Sequence, residues 1–349
     1  MQSLKSLRRN ILHRTSRIPV IFILLIIYIA VFILSFSIGR FPVGPVELIK
    51  ILLSKVFPIE ADWSAQAESV VFNIRLPRII ASSLIGAGLS LSGLIFQMIF
   101  RNPMVSPDVL GTSTGAGFGA SLALLWALPS FSVPLMAFAT GILAVMLVWA
   151  IASRVPSNQV LGLILGGIMI SSLFQSGTSF IKLVADPEDE LPAITYFLMG
   201  SLSGAGMDEV KMLLPPMVIS IIPMLLLSWR MNLLSLPEEE ALSLGVNTKA
   251  IRGIAIIAAT LMTASTVAVA GVIGWVGLVI PHITRMLTGT DGRKTIPSSL
   301  ILGASFLTIV DTVSRSVTYS EIPIGILTSF IGAPFFLYLI IKEGKRNVA

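Results

Sequence analysis

Long apolar runs, broken by short charged or proline- and glycine-rich stretches, organise this chain. Reading between the charged residues gives ten apolar segments. The first covers 18–39 and the second 79–100. The uncharged block 109–153 is too long for one membrane crossing and divides at Pro129 and Pro134. A fifth segment covers 159–181 and a sixth 212–229, while the block 251–287 holds two short segments meeting near Gly271 and Gly274. The last two are 296–315 and 322–341. About 20 helical residues cross the hydrocarbon of a bilayer, so runs of this length fit spanning helices. The stretch 192–207 is shorter and glycine-interrupted, and reads as an interfacial element on the outer face.

Composition turns these runs into a fold class. Of 349 residues, 54% are apolar and only 12% charged, where soluble domains carry roughly a quarter charged. The expectation is an all-α integral membrane protein of about ten transmembrane helices, forming one domain over 1–349. The basic start is followed by an apolar run too long for a signal peptide, with no small-residue cleavage pattern after it. With no cysteine, thiol catalysis, haem thiolate ligation and disulfides are excluded. His13 and His282 alone cannot build a histidine-rich metal site.

Charge sets the orientation. With residues 1–17 as a cytoplasmic basic tail, the inner loops hold about twice as many basic residues as the outer ones, as the positive-inside tendency demands. Both termini are then cytoplasmic, and the net charge of +6 needs no nucleic-acid partner. Ten spans divide into two five-helix halves, and an odd repeat implies inversion.

Catalytic chemistry is scarce. Asp311 is the one clearly internal carboxylate, and Asp108 lies near an inner edge. Asp311 and Arg315, four apart, share a helix face and can neutralise one another. No GxxxxGK[ST] stretch is present, so a phosphate-cradling loop would belong to another subunit. The expectation is no catalytic residue and no bound metal. An ion-coupled secondary transporter is a rival reading, disfavoured by the few buried acids.

Three stretches remain as candidates. In the inner loop 231–252, Pro237 can start a helix with Glu238, Glu239 and Glu240 in its first turn, Gly245 can end it, and Asn247 can cap the next. Ala241, Leu242 and Leu244 offer an apolar contact, and the loop reads equally as a docking surface or as a solvated connector. The polar breaks 101–108 and 153–159, with Asn102, Ser157 and Asn158, fit either a cytoplasmic exit or ordinary capping. On the outer side, Pro77 suits a first helical turn, so Arg75 and Arg78 would flank a helix N-terminus, against both the dipole and the positive-inside tendency. Arg315 is a third outer charge. Headgroup snorkelling explains each singly; three together also suit a dock for an acidic protein. Glycines at 86, 88, 93, 111, 115, 117 and 119 mean either close helix packing or the border of a pathway.

The longer motifs carry a family likeness. RLPRIIASSLIGAGLSLSGLIFQMIFRNPMVSPDVLGTSTGAGFGA (75–120), GWVGLVIPHITRMLTGTDGRKTIPSSLILGASFLTIVDTVSR (274–315) and EIPIGILTSFIGAPFFLYLI (321–340) resemble the permeases of type II ABC importers, the iron-siderophore, haem and vitamin B12 family. The resemblance spans about 20–342. It implies a second permease subunit, identical or a paralogue, two cytoplasmic ATPases that bind ATP and Mg, and an extracytoplasmic binding protein. The chain itself would bind no cofactor and sit in lipid as a multi-pass protein of a bacterial cytoplasmic membrane. By the same resemblance, the loop 231–250, with Glu238, Glu239, Glu240, Ala241, Leu244 and Gly245, is the ATPase-coupling element. Arg75, Arg78 and Arg315 receive binding-protein carboxylates. The inner turns with Asn102, Met104, Ser157 and Asn158 contribute to a cytoplasmic gate. A metal chelate of the siderophore type is the expected cargo, with haem, cobalamin or an oxyanion as alternatives within the family.

Overall fold

The computed structural model describes residues 20–55, 57–58, 61–154, 159–235, 238–318 and 320–348, and among them the regular structure is entirely helical. In chain order the longer helices are α1 (Val20–Ser37), α2 (Pro45–Ser54), α3 (65–99), α4 (Thr112–Leu125), α5 (Ser132–Ala152), α6 (Gln159–Val184) and α7 (Glu190–Met199). They continue as α8 (Met207–Leu226), α9 (Glu238–Ser243), α10 (Thr248–Ala270), α11 (Val276–Thr288), α12 (Gly292–Ser314) and α13 (Ile324–Val348). A helix stands on each of the ten apolar segments. Seven of them, α1, α3, α5, α6, α8, α10 and α12, are long and apolar enough to cross a membrane.

The breaks fall where backbone chemistry requires them. Pro129 lies in the turn between α4 and α5, and Pro134 sits in the first turn of α5, where a missing N–H costs nothing. Gly271, at φ 68°, ends α10, and α11 begins at Val276. The element expected over 192–207 is α7, which at 10 residues is about 15 Å long and too short to cross.

α3 is the central helix. Buried along nearly its whole apolar length, it packs against α1, α8, α10, α11 and α12. A methyl group on Gly86 would stand 2.2 Å from the Gly303 carbonyl oxygen, and one on Gly93 would stand 2.0 Å from that of Gly277. So the backbones of α3, α12 and α11 touch, and these glycines of α3 serve close packing. Hydroxyl pairs cross the same seam: Ser90 to Ser299 at 2.6 Å and Ser83 to Thr308 at 3.1 Å.

Two expectations change. α3 does not begin beside Pro77 but at Ala65, and residues Val70–Arg75 form a π-helical stretch. Pro77 has no N–H to give and its ring crowds the preceding turn; widening that turn lets the helix run through it, with Leu76 N donating to Val71 O. Arg75 ends a bulge inside a helix and Arg78 lies just beyond it, so the opposition to an N-terminal dipole disappears. Asp108, expected near an edge, lies on a short turn (Pro107–Leu110) that enters the helix bundle. The carbonyl of Val109 packs on Gly167 and the following Gly111 on Ser171, near the middle of α6. Ser113 donates to Asp108, and α4 starts from this internal level.

Candidate functional site

Arg75 and Arg78 converge with Arg315, which is distant in sequence. Arg75 ends the bulged part of α3 and Arg78 follows it in the regular helix, Arg315 closes α12, and all are buried, at 3%, 5% and 8% exposure. Asp311, one turn before Arg315 and 1% exposed, binds Arg78 Nε at 2.8 Å and stands 3.7 Å from Arg315 Nε. The spacing of Asp311 and Arg315 was readable, but the closer partner is Arg78. Glu321, three residues ahead of α13, takes the other edge of the Arg78 guanidinium, with Oε1 2.9 Å from Nη1 and Oε2 2.8 Å from Nη2. The first is a charge-assisted hydrogen bond, stronger than a neutral one; the second is an ion-pair contact without hydrogen-bond geometry.

Arg75 is held differently. It donates to the backbone carbonyls of Phe36, in the last turn of α1 where acceptors are left unpaired, and of Phe41, in the connection from α1 to α2. Arg315 donates to the carbonyl and, at 3.0 Å, the hydroxyl of Ser35. Beside this cluster lies a cavity of about 170 Å³ lined by Arg40, Arg75, Arg78, Arg315 and Glu321 among others. Arg40 is exposed at its rim and donates to the Thr318 carbonyl. The arginines are thus not a bare basic surface but the walls of a small, charged recess. Sequence reasoning gave no role to Arg40 or Glu321, although Glu321 opens the motif at 321–340.

The other end of α12 is built around Asp291. It caps the helix by accepting from Arg293 N at 3.1 Å, and its carboxylate also binds the Arg293 guanidinium and Asn232 Nδ2. These contacts, the Arg293 side chain first and Asn232 second, lower its pKa to about 2. Asn232 Oδ1 accepts from Gly292 N at 2.7 Å, so Asn232 ties the start of the 231–250 loop to α12. A second tie is Arg101 Nε, which donates to the Leu234 carbonyl at 2.9 Å. Arg101 adopts φ 51°, a left-handed conformation that carries strain in a non-glycine residue.

Within that loop α9 covers Glu238–Ser243, with Glu240 exposed and Ala241 buried. Leu244 is 58% exposed, Gly245 takes φ 75°, and Asn247 caps α10 by accepting from Ala250 N at 3.0 Å. Pro237 lies outside the described residues, and so do Ser157 and Asn158 among the gate candidates. Of the remaining two, Asn102 lines a cavity of about 670 Å³ together with Gln97, Arg101, Asn232, Arg285 and Asp291. Met104 is exposed, its N–H donating to Asn102 Oδ1 at 2.9 Å. Gln97 holds this region together by donating to the carbonyls of Val105 and Gly277, each at 3.2 Å.

The profile of the FecCD transport family matches residues 24–342. The chain belongs to that family. Among its relatives, the molybdate import system permease protein MolB of Haemophilus influenzae is 37% identical over 330 residues, covering 94% of this chain and 97% of the relative. The Fe(3+)-citrate import system permease protein YfmE of Bacillus subtilis is 38% identical over 330 residues, covering 94% and 96%. A solved structure described as an inward-facing conformation of a metal-chelate type ABC transporter superposes with a TM-score of 0.83 at 35% identity, covering 93% of this chain and 99% of that one. This FecCD member is therefore a multi-pass permease of an ABC transporter, the component that forms the passage, while ATP is hydrolysed by a separate subunit.

Proposed function

We propose that this permease imports an iron-siderophore-type metal chelate across a bacterial cytoplasmic membrane by alternating access. In this reading the ten helices α1, α3–α6, α8 and α10–α13 all cross, in two five-helix halves, with both termini in the cytoplasm. A second permease subunit completes the passage, two cytoplasmic ATPases supply ATP and Mg chemistry, and an extracytoplasmic binding protein delivers the cargo.

The observation that carries the proposal is the polarity of α12. Its 23 residues run about 34 Å, close to the thickness of a bilayer core. One end holds the arginine recess; the other is tied through Asn232 to the loop bearing α9. A dock for an acidic binding protein at Arg75, Arg78 and Arg315 and an ATPase contact at Glu238, Glu239, Glu240, Ala241, Leu244 and Gly245 would then lie on opposite faces. ATP-driven motion at the second would switch which end of the passage is open. Asn102 and Met104, with Ser157 and Asn158, belong to the cytoplasmic gate in this scheme. The high similarity to MolB favours an oxyanion as the second cargo reading.

The docking claim is tested with Arg75→Glu combined with Arg78→Glu. Association with the binding protein is expected to fall by at least about tenfold, since like charges facing each other at an interface cost several kcal/mol, while the assembled ATPases stay bound. Unchanged association at physiological salt would refute it.

A further inference from the structure

The arginine recess holds four guanidinium groups, Arg40, Arg75, Arg78 and Arg315, against two carboxylates, Asp311 and Glu321. Its most completely bound cation is Arg78. Asp311 occupies Nε from within the bundle and, at 1% side-chain exposure, is fixed there. Glu321 hydrogen-bonds Nη1 and lies against Nη2 as an ion-pair contact, yet its side chain is 25% exposed and it lies on the connection between α12 and α13 rather than in a helix. An incoming carboxylate cannot reach the fork of Arg78 while Glu321 is there.

We propose that Glu321 is a built-in competitor for the docking carboxylate, displaced into water when the binding protein's acidic side chain takes its place on Arg78. The proposal rests on the docking reading above and adds a residue that sets its selectivity. Exchanging one carboxylate for another keeps the buried guanidinium paired throughout, which avoids the several kcal/mol of an uncompensated buried charge. The newcomer also meets Arg75, whose terminal nitrogens donate to backbone carbonyls and which among the described residues forms no ion pair, so a carboxylate entering the recess gains an ionic partner that Glu321 leaves unused. A partner whose acidic group cannot reach both arginines does not win the exchange.

The displacement has a path inward. Next to Glu321, Ile322 is paired with Ser314 through its N–H at 3.3 Å and its carbonyl at 2.6 Å. Ile324, opening α13, donates to the Gly200 carbonyl at 2.8 Å, at the end of α7. A groove of about 660 Å³ is lined there by residues of both helices, Met199 and Gly325 among them. Release of Glu321 loosens the connection that seats the start of α13 on α7, so docking is felt at that groove.

The test uses the assembled transporter in nanodiscs and its binding protein, with affinity read across a salt series. Glu321→Gln keeps the side-chain shape and leaves Asp311 on Arg78. It is expected to tighten association by at least about fivefold, because removing one charged competitor is worth about one charge-assisted hydrogen bond. Glu321→Asp, which keeps the charge, should restore near-original affinity if the first variant behaves as expected. Glu188→Gln removes the same charge from an exposed position and should leave affinity unchanged. Unchanged or weaker association in Glu321→Gln overturns the proposal, as does equal tightening in Glu188→Gln, which would mean bulk electrostatics. If the Arg75→Glu, Arg78→Glu variant still loses association while Glu321→Gln does nothing, docking stands and the exchange falls. If neither variant alters association, both fall.

Discussion

Asp311 decides the stability of the arginine cluster. It is 1% exposed, 2.8 Å from Arg78 and 3.7 Å from Arg315, and its charge is what makes two buried guanidinium groups tolerable. Asp311→Asn retains the volume and removes the charge. A fall of about 3–5 kcal/mol in stability is expected, the usual cost of breaking one side of a buried ion pair, read as a lower unfolding midpoint in detergent. An unchanged midpoint would mean that water or a neighbour already serves the arginines. Part of this was legible: a spacing of four placed Asp311 and Arg315 on one face. The contact between Arg78 and Asp311, 233 positions apart, was not, because it depends on how α3 packs on α12. Nor was the role of the α1 carbonyls at Arg75, since no side-chain pattern announces a backbone acceptor.

At the scale of elements, apolar runs located the helices well and their ends less well. Pro129, Pro134 and Gly271 interrupt the backbone in a way any reader of the sequence can use. Pro77 misleads, because the π-helical widening over Val70–Arg75 absorbs it and α3 extends outward to Ala65. The turn at Pro107–Leu110 was also hidden: a polar, proline-containing stretch reads as a surface loop, yet Gly167 and Gly111 leave room for it against α6. For α9 the local chemistry was sufficient, with Gly245 at φ 75° and Asn247 as a cap. Replacing Glu238, Glu239 and Glu240 by lysine should weaken ATPase association or its coupling to transport by about tenfold or more, as expected for reversed charge at a partner surface. Full coupled activity in that variant would assign the loop to a connector role instead.

Across the whole molecule, function follows from asymmetry between the two ends. α3 is a rigid axis, its glycines locked against Gly303 and Gly277, and α12 lies against it with a charged recess at one end and the Asp291 clamp at the other. A closely packed centre with different contact surfaces at its two ends suits a passage operated by other subunits. An ion-coupled carrier would instead place its acids where a cation could bind, but Asp311 is committed to arginines and Asp108 accepts from Ser113. The family likeness was legible because it rests on three long motifs rather than one short pattern, whereas the cargo was not, since relatives of nearly equal identity are named for molybdate and for ferric citrate. The most direct measurement is uptake of a ferric siderophore into proteoliposomes holding the permease with its ATPases, with the binding protein outside. The account expects uptake that requires both ATP and the binding protein and that survives collapse of all ion gradients. Uptake by the permease alone, driven by an imposed ion gradient and indifferent to ATP, would contradict it.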